Sequence, residues 1–109
     1  MQLSEYHEKA MRTKADYESR EEQLLCAVLG ILGEGGELAE IVKKARYQGH
    51  RLSTDKIVNE LGDILWYWAL AVDSLEYASP RTVALMNIEK LRNRYPDGFE
   101  AKRSVNRKE

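Results

Sequence analysis

Apolar residues recur at spacings of three and four along most of the chain, which is the period of helices that bury one face. The clearest stripe runs from Ile57 through Trp68 to Leu75. Only two prolines and seven glycines interrupt the 109 residues. The pattern therefore predicts an all-α protein built from four helices.

Local signals place the ends of the first two helices. The first is predicted over residues 5–17. Ser19 followed three residues later by Glu22 is a capping-box pattern, in which each side chain satisfies a free amide at a helix start, so the second helix opens there and stops before Gly49. The glycines in its middle each cost about 1 kcal/mol relative to alanine, which indicates either a break or a close approach to the backbone. They are Gly30, Gly33, Gly35 and Gly36.

The third and fourth helices have equally local signals. One of three polar residues caps the third: Ser53, Thr54 or Asp55. Ser79-Pro80 is a preferred N-cap and first-turn pair for the fourth, and Pro96 ends it. These limits predict one domain over residues 1–96, followed by a basic arm over residues 97–109.

Composition narrows the class of protein. The chain is 43% hydrophobic and 32% charged, enough apolar material for a core. Its net charge of −1 gives no reason to expect binding to a nucleic-acid polymer or a membrane surface. Cys26, the single cysteine, is expected to be a small buried residue. No secretory signal pattern is visible, and the longest apolar run, 64–72, is too short to span a bilayer, so we expect a cytoplasmic protein.

Two pairs of carboxylates carry the candidate chemistry: Glu34 with Glu37, and Glu60 with Asp63. Residues at i and i+3 lie on one helix face, so each pair can close on one ion. Both pairs are in phase with apolar positions, whereas ordinary surface acids lie opposite them. Carboxylates that face an interior repel one another and lose hydration, and a divalent cation would resolve this.

Oxygen ligands suit Mg²⁺, with Mn²⁺ as an alternative, and argue against zinc. The alternative interpretation, acids on solvated helix edges, stays open on spacing and phase alone. A ferritin-like di-iron site would require Glu-x-x-His pairs. Neither His7 nor His50 lies three residues after a glutamate, which speaks against that site.

A magnesium site for a phosphate chain also needs cationic and hydrogen-bonding side chains nearby. Lys43 follows the first acidic pair, and Asn87, Lys90 and Arg94 share one face of the fourth helix. A solvated face is the alternative for each of them. The aromatic run 66–68 could stack on a base, but a core or subunit interface is the more usual role of such a run.

Four segments in order along the chain resemble the MazG-type members of the all-α NTP pyrophosphatase superfamily, particularly the small, single-domain phage or bacterial members. The first contains Glu34-x-x-Glu37, and the second contains Glu60-x-x-Asp63. The segments are residues 29–37, 59–67, 87–91 and 94–99. The pairs Glu5-Tyr6 and Arg12-Thr13 also look like the opening helix of that family.

This resemblance implies hydrolysis of a nucleoside or deoxynucleoside triphosphate to the monophosphate and pyrophosphate. It implies Mg²⁺ on the acidic quartet, with the nucleotide held by Asn87, Lys90 and Arg94. It also implies a four-helix bundle assembled as a homodimer or as a dimer of dimers, with the site shared between chains. Glu34 and Glu37 are the expected catalytic carboxylates, and we expect Glu37 to act as the base, because a metal ligand with a free oxygen can also take a proton.

Two alternatives remain at this point. One is a sister enzyme of the same superfamily, specific for dUTP or for phosphoribosyl-ATP. The other is a helical interaction module without catalysis, in which the acidic pairs are surface charge.

Overall fold

The computed structural model describes residues 1–106, and over that range the chain is all-α, as predicted, with no β-strand. Four helices are longer than one or two turns, and a short fifth follows them. They are α1 (Leu3–Met11), α2 (Arg20–Tyr47), α3 (Thr54–Ser74), α4 (Pro80–Arg94) and α5 (Ala101–Val105). No helix in the described part of the chain is both long enough and apolar enough to cross a membrane.

Serine hydroxyls open the three long helices, which confirms the predicted starts. Ser19 Oγ accepts a hydrogen bond from the backbone amide of Glu22 at 3.1 Å. Ser53, the first of the three candidates, caps α3 in the same way. At α4, Ser79 and Thr82 satisfy each other's backbone amides in a full capping box.

The predicted end of the first helix was wrong. α1 stops at Met11 rather than near residue 17. Thr13 turns the chain, because both its amide and its hydroxyl donate to Ala10 O, the hydroxyl at 2.6 Å. Beyond it, Lys14 reaches α3, where its Nζ donates to Asp73 Oδ2 at 2.7 Å. The chain therefore leaves the helix after Met11 and makes a long-range ion pair with α3.

The glycine cluster does not break α2, which is continuous over 28 residues. The ring of Tyr67 on α3 lies where a side chain at Gly30 would be. At Gly33, Gly35 and Gly36, an added methyl group would meet nothing within 4 Å. The close approach therefore occurs at Gly30, and the group that approaches is a protein side chain.

α2 and α3 form the central pair of the fold and run antiparallel. Gln23, near the start of α2, contacts Leu70 and Asp73, near the end of α3. Further along, Gly30 faces Tyr67. α1 and α4 pack on α3. Few apolar side chains are fully buried among the described residues: Ala10, Ala27, Ala69, Leu70 and Val72.

The single chain is less compact than a globular domain of its length. Its radius of gyration is 17.0 Å, whereas a compact domain of about 100 residues has about 13 Å. Large apolar side chains stay exposed along α2 and α3. They include Leu25, Leu29 and Leu32 on α2, and Val58, Leu61 and Leu65 on α3.

Residues 97–106, which lie in the predicted arm, form a turn and a short helix. Gly98, at φ 95°, turns the backbone after Pro96, and the rings of Tyr95 and Phe99 lie 5.3 Å apart. The short α5 follows. The division into a domain over 1–96 and an arm over 97–109 stays a prediction, and residues 107–109 of that arm lie outside the described residues.

Replacing Gly30 by alanine should destabilise the protein, although alanine is the better helix former. The new methyl group would overlap the Tyr67 ring. Overpacking costs about 1–3 kcal/mol, against a propensity gain of about 1 kcal/mol, so the free energy of unfolding should fall by about 1 kcal/mol. Urea unfolding followed by circular dichroism measures this.

Gly33→Ala on the same helix is the matched control. Its methyl group meets nothing within 4 Å, so the propensity gain should raise the free energy of unfolding by up to about 1 kcal/mol. Both variants are compared with the parent at one protein concentration. Equal effects of the two substitutions would contradict the packing of Tyr67 on Gly30.

Candidate metal centre

The antiparallel pairing of α2 and α3 brings three of the four predicted carboxylates together. Glu34, Glu37 and Glu60 each offer one oxygen, and these oxygens all lie within 4.8 Å of one another. Glu34 and Glu60 are half-buried, while Glu37 is exposed. Such a group can close around one small cation.

Two oxygens at this centre are buried without a partner. They are Oε2 of Glu34 and Oε2 of Glu60, and neither accepts a hydrogen bond. The adjoining side chain of Glu60, burial, and the charges of Glu60 and Asp63 raise the pKa of Glu34, against a smaller opposing effect of the Glu37 side chain. The helix pairing therefore holds like charges together at a cost in stability.

Asp63 stands beside this group rather than within it. It is exposed and lies one turn after Glu60 on α3. Its charge still reaches the centre, since it contributes to the raised pKa of Glu34. The predicted quartet is therefore a close trio with a fourth carboxylate on its edge.

The donor set fits a hard divalent cation. All the candidate ligands are carboxylate oxygens, as Mg²⁺ and Mn²⁺ prefer. Acids on solvated helix edges would be hydrated and far apart. The orphaned oxygens of Glu34 and Glu60 do not fit that description. A cation between α2 and α3 would satisfy both oxygens and cancel the repulsion.

The predicted phosphate-binding residues lie on two helices. Lys43 is exposed on α2, and its Nζ lies 3.3 Å from Glu40 Oε2. Asn87, Lys90 and Arg94 are on α4, the helix that packs on α1 and α3. Lys43 therefore follows the carboxylates on the same helix, while the other three come from a separate element.

The aromatic run on α3 has structural contacts. Trp66 Nε1 donates to Thr13 Oγ1 at 2.8 Å, and the Tyr67 ring covers Gly30. Trp68 lines a cavity of about 350 Å³ that also involves Leu3. These contacts tie α1 and α2 to α3 next to the carboxylates.

Tyr6 on α1 is a neighbour of the site to which the sequence alone assigned no role. It is half-buried, and burial followed by the negative charge of Asp63 raises its pKa. The two residues are 57 positions apart, so no local pattern could pair them. The resemblance of Glu5-Tyr6 to an opening helix was the one available signal.

Comparison with known proteins places these features in a family. The model of the MazG nucleotide pyrophosphohydrolase domain matches residues 22–99, which include all four carboxylates and exclude α1. The Gene 37 protein of Mycobacterium phage L5 is 35% identical over 81 residues, which cover 71% of this chain and 70% of that protein. No solved structure matches the chain significantly.

Replacing Glu60 by glutamine should stabilise the metal-free protein, because it removes a charge that repels Glu34. We expect the melting temperature in EDTA to rise by about 4 °C, which corresponds to about 1 kcal/mol for a domain of this size. Mg²⁺ should raise the melting temperature of the parent and have little effect on the variant. Differential scanning calorimetry with and without Mg²⁺ measures both quantities.

Glu40→Gln is the matched control on α2. Glu40 lies outside the trio and pairs with Lys43 in solvent, so this variant should keep the Mg²⁺ effect and gain no stability in EDTA. An equal Mg²⁺ effect in the Glu60 variant and in the parent would count against a cation at this centre.

Proposed function

We propose that this chain, which belongs to the MazG nucleotide pyrophosphohydrolase family, is an Mg²⁺-dependent enzyme that hydrolyses nucleoside or deoxynucleoside triphosphates to the monophosphate and pyrophosphate. The observation that carries the proposal is the approach of Glu34, Glu37 and Glu60 within 4.8 Å, with two buried oxygens that no protein group satisfies. Carboxylates that are held together against their mutual repulsion can bind a cation, and that cation can in turn bind a phosphate chain.

The four acids differ in solvent exposure, and we assign their roles accordingly. Glu34 and Glu60, which are half-buried, would hold the cation from α2 and α3, and Asp63 would complete the ligand set from the edge. When bound, Mg²⁺ neutralises phosphate oxygens and lowers the pKa of a water molecule. Glu37 is exposed, so water and substrate can reach it, and we assign it the removal of the proton from the attacking water.

The cationic side chains bind the other part of the substrate. Lys43, Lys90 and Arg94 would hold the phosphates and stabilise the charge that develops on the leaving pyrophosphate. Asn87 offers an amide for the nucleoside. Lys43 pairs with Glu40 in solvent, a weak interaction that a phosphate chain can displace.

Assembly into a homodimer or a dimer of dimers is part of the proposal. The support is the open shape of one chain and the apolar stripes that it leaves exposed on α2 and α3. Burying such stripes against a second copy is the ordinary way to supply a missing core. In this arrangement, α4 of one chain can bring its cationic face to the carboxylates of the other.

Replacing Glu37 by glutamine should abolish turnover and spare nucleotide binding. The variant keeps one oxygen for the cation but cannot take a proton, so kcat should fall by about 10²–10⁴-fold. Pyrophosphate release measures kcat, and isothermal titration with a non-hydrolysable nucleotide and Mg²⁺ measures binding. Glu40→Gln is again the control and should remain fully active.

The parent enzyme is assayed in the same way over all common NTPs, all dNTPs and phosphoribosyl-ATP. Broad release of pyrophosphate supports the proposal, whereas release from dUTP alone or from phosphoribosyl-ATP alone identifies a specific sister enzyme. A parent that neither binds nor hydrolyses any of them would be a non-catalytic interaction module. Retained turnover in the Glu37 variant would exclude Glu37 as the base.

A shared site predicts complementation between two inactive variants. Glu60→Gln chains lack a carboxylate, and Lys90→Ala chains lack a cationic residue. Co-expressed in equal amounts, they should recover about a quarter of the parent's activity, because half of the dimers are mixed and each mixed dimer has one intact site. Light scattering after size exclusion gives the oligomeric state in the same experiment.

A strict monomer would contradict the proposed assembly. A stable oligomer with no recovered activity would place each complete site within one chain. The Glu40→Gln chain, mixed with either variant, is the control for the effect of co-expression.

A further inference from the structure

α1 lies outside the residues that the family model matches, yet it packs on α3, the helix that carries Glu60 and Asp63. Leu3 lines a cavity together with Leu61, Ile64 and Leu65, the residues of α3 on either side of Asp63. Tyr6, one turn further along α1, is half-buried. α1 therefore lies against the stretch of α3 that carries Asp63, although it is outside the matched region.

α1 cannot hold this position by its own stability. It has nine residues, and isolated helices of that length are marginal in water. Ala10, which is 9% exposed, is its one buried residue. The position of α1 must therefore depend on contacts made by its far end and by the segment that follows it.

Trp66 on α3 makes two of those contacts, since its Nε1 donates to Ala10 O at 3.3 Å and to Thr13 Oγ1 at 2.8 Å, and Asp73, near the end of α3, makes the others. Asp73 Oδ2 accepts from Lys14 Nζ at 2.7 Å and from Gln23 Nε2 at 2.9 Å. His7 Nε2, on α1 itself, lies 3.5 Å from Asp73 Oδ1; this nitrogen is buried and makes no hydrogen bond, so the contact with Asp73 is one of proximity. One carboxylate therefore ties α1, the segment after it and α2 to α3.

The groups around Asp73 stabilise its negative charge. Gln23 is only 6% exposed and also donates to the carbonyl oxygen of Leu70, so its amide is fixed in place. Burial alone would raise the pKa of Asp73, but the hydrogen bonds from Lys14 and Gln23 and the charges of Lys14 and His7 outweigh it, so the pKa is lowered. Asp73 therefore stays ionised near neutral pH, as an ion pair with Lys14 requires.

We propose that Asp73 is a positioning residue, which anchors α1 through His7 and Lys14 and thereby holds Tyr6 next to Asp63 as a wall of the nucleotide site. Asp73 is ten residues from Asp63, roughly 15 Å along the helix, so it acts through α1 and not on the substrate. The part of this inference that concerns the nucleotide rests on the proposed function.

Asp73→Asn tests the anchor, since asparagine has the same shape but no charge to pair with Lys14. Amide hydrogen exchange, read by mass spectrometry, should become about tenfold or more faster over residues 3–11 and stay unchanged in the middle of α2 and α3, away from the Gln23–Asp73 hydrogen bond. In pyrophosphate release, KM should rise about tenfold, with kcat within about twofold. Lys14→Met should have the same α1-confined effect, which provides a second variant if Asp73→Asn loosens the whole fold.

A double-mutant cycle separates positioning from a general structural role. If Asp73 acts through Tyr6, Asp73→Asn should change KM little in a Tyr6→Ala background. Glu8→Gln is the control on α1, because it breaks only the exposed 3.9 Å pair between Glu8 and Arg12. It should change neither exchange nor KM.

Unchanged exchange over residues 3–11 in both anchor variants overturns the proposal, and so does an equal rise in KM with and without Tyr6. Exchange does not require turnover. If the parent hydrolyses no nucleotide, the proposed function fails, and α1-confined exchange still upholds or overturns the anchor.

Discussion

The close antiparallel packing of α2 on α3 is the constraint on which the rest of the structure depends. Gly30 permits it, because the Tyr67 ring occupies the space of a side chain there. From this contact, one turn forward along α2 leads to Glu34, and one to two turns back along α3 lead to Asp63 and Glu60. The register set by one glycine and one aromatic ring therefore places acids of two helices opposite each other.

This register has an electrostatic cost at the cluster of Glu34, Glu37 and Glu60. Glu34 and Glu60 keep orphaned oxygens at the helix pair, and the pKa of Glu34 is raised as a result. At the other end of the same pair, Asp73 is surrounded by donors and its pKa is lowered. One end of the α2–α3 pair is thus held by satisfied polar contacts, while the other is left unsatisfied, as a cation site requires.

Around the α2–α3 pair, few buried apolar side chains stabilise the fold. The fully buried apolar residues are small or few, and the apolar stripes of α2 and α3 remain exposed. A small domain that leaves such surfaces open gains stability from a second copy more readily than from further folding. The polar contacts of α1 with α3, including those of Trp66 and Asp73, then fix the one helix that lies in front of the family region.

The sequence by itself determined the serine-capped starts of α2, α3 and α4 and the i, i+3 spacing of the acids, because each depends on neighbours within about four residues. It also carried the family motifs. Only the tertiary structure decided that α1 ends at Met11, that Gly30 receives a tyrosine ring, and that Asp63 stands at the edge of a trio. Each of these depends on partners far apart in the chain, such as Lys14 and Asp73, 59 residues apart, and no local pattern encodes such a pair.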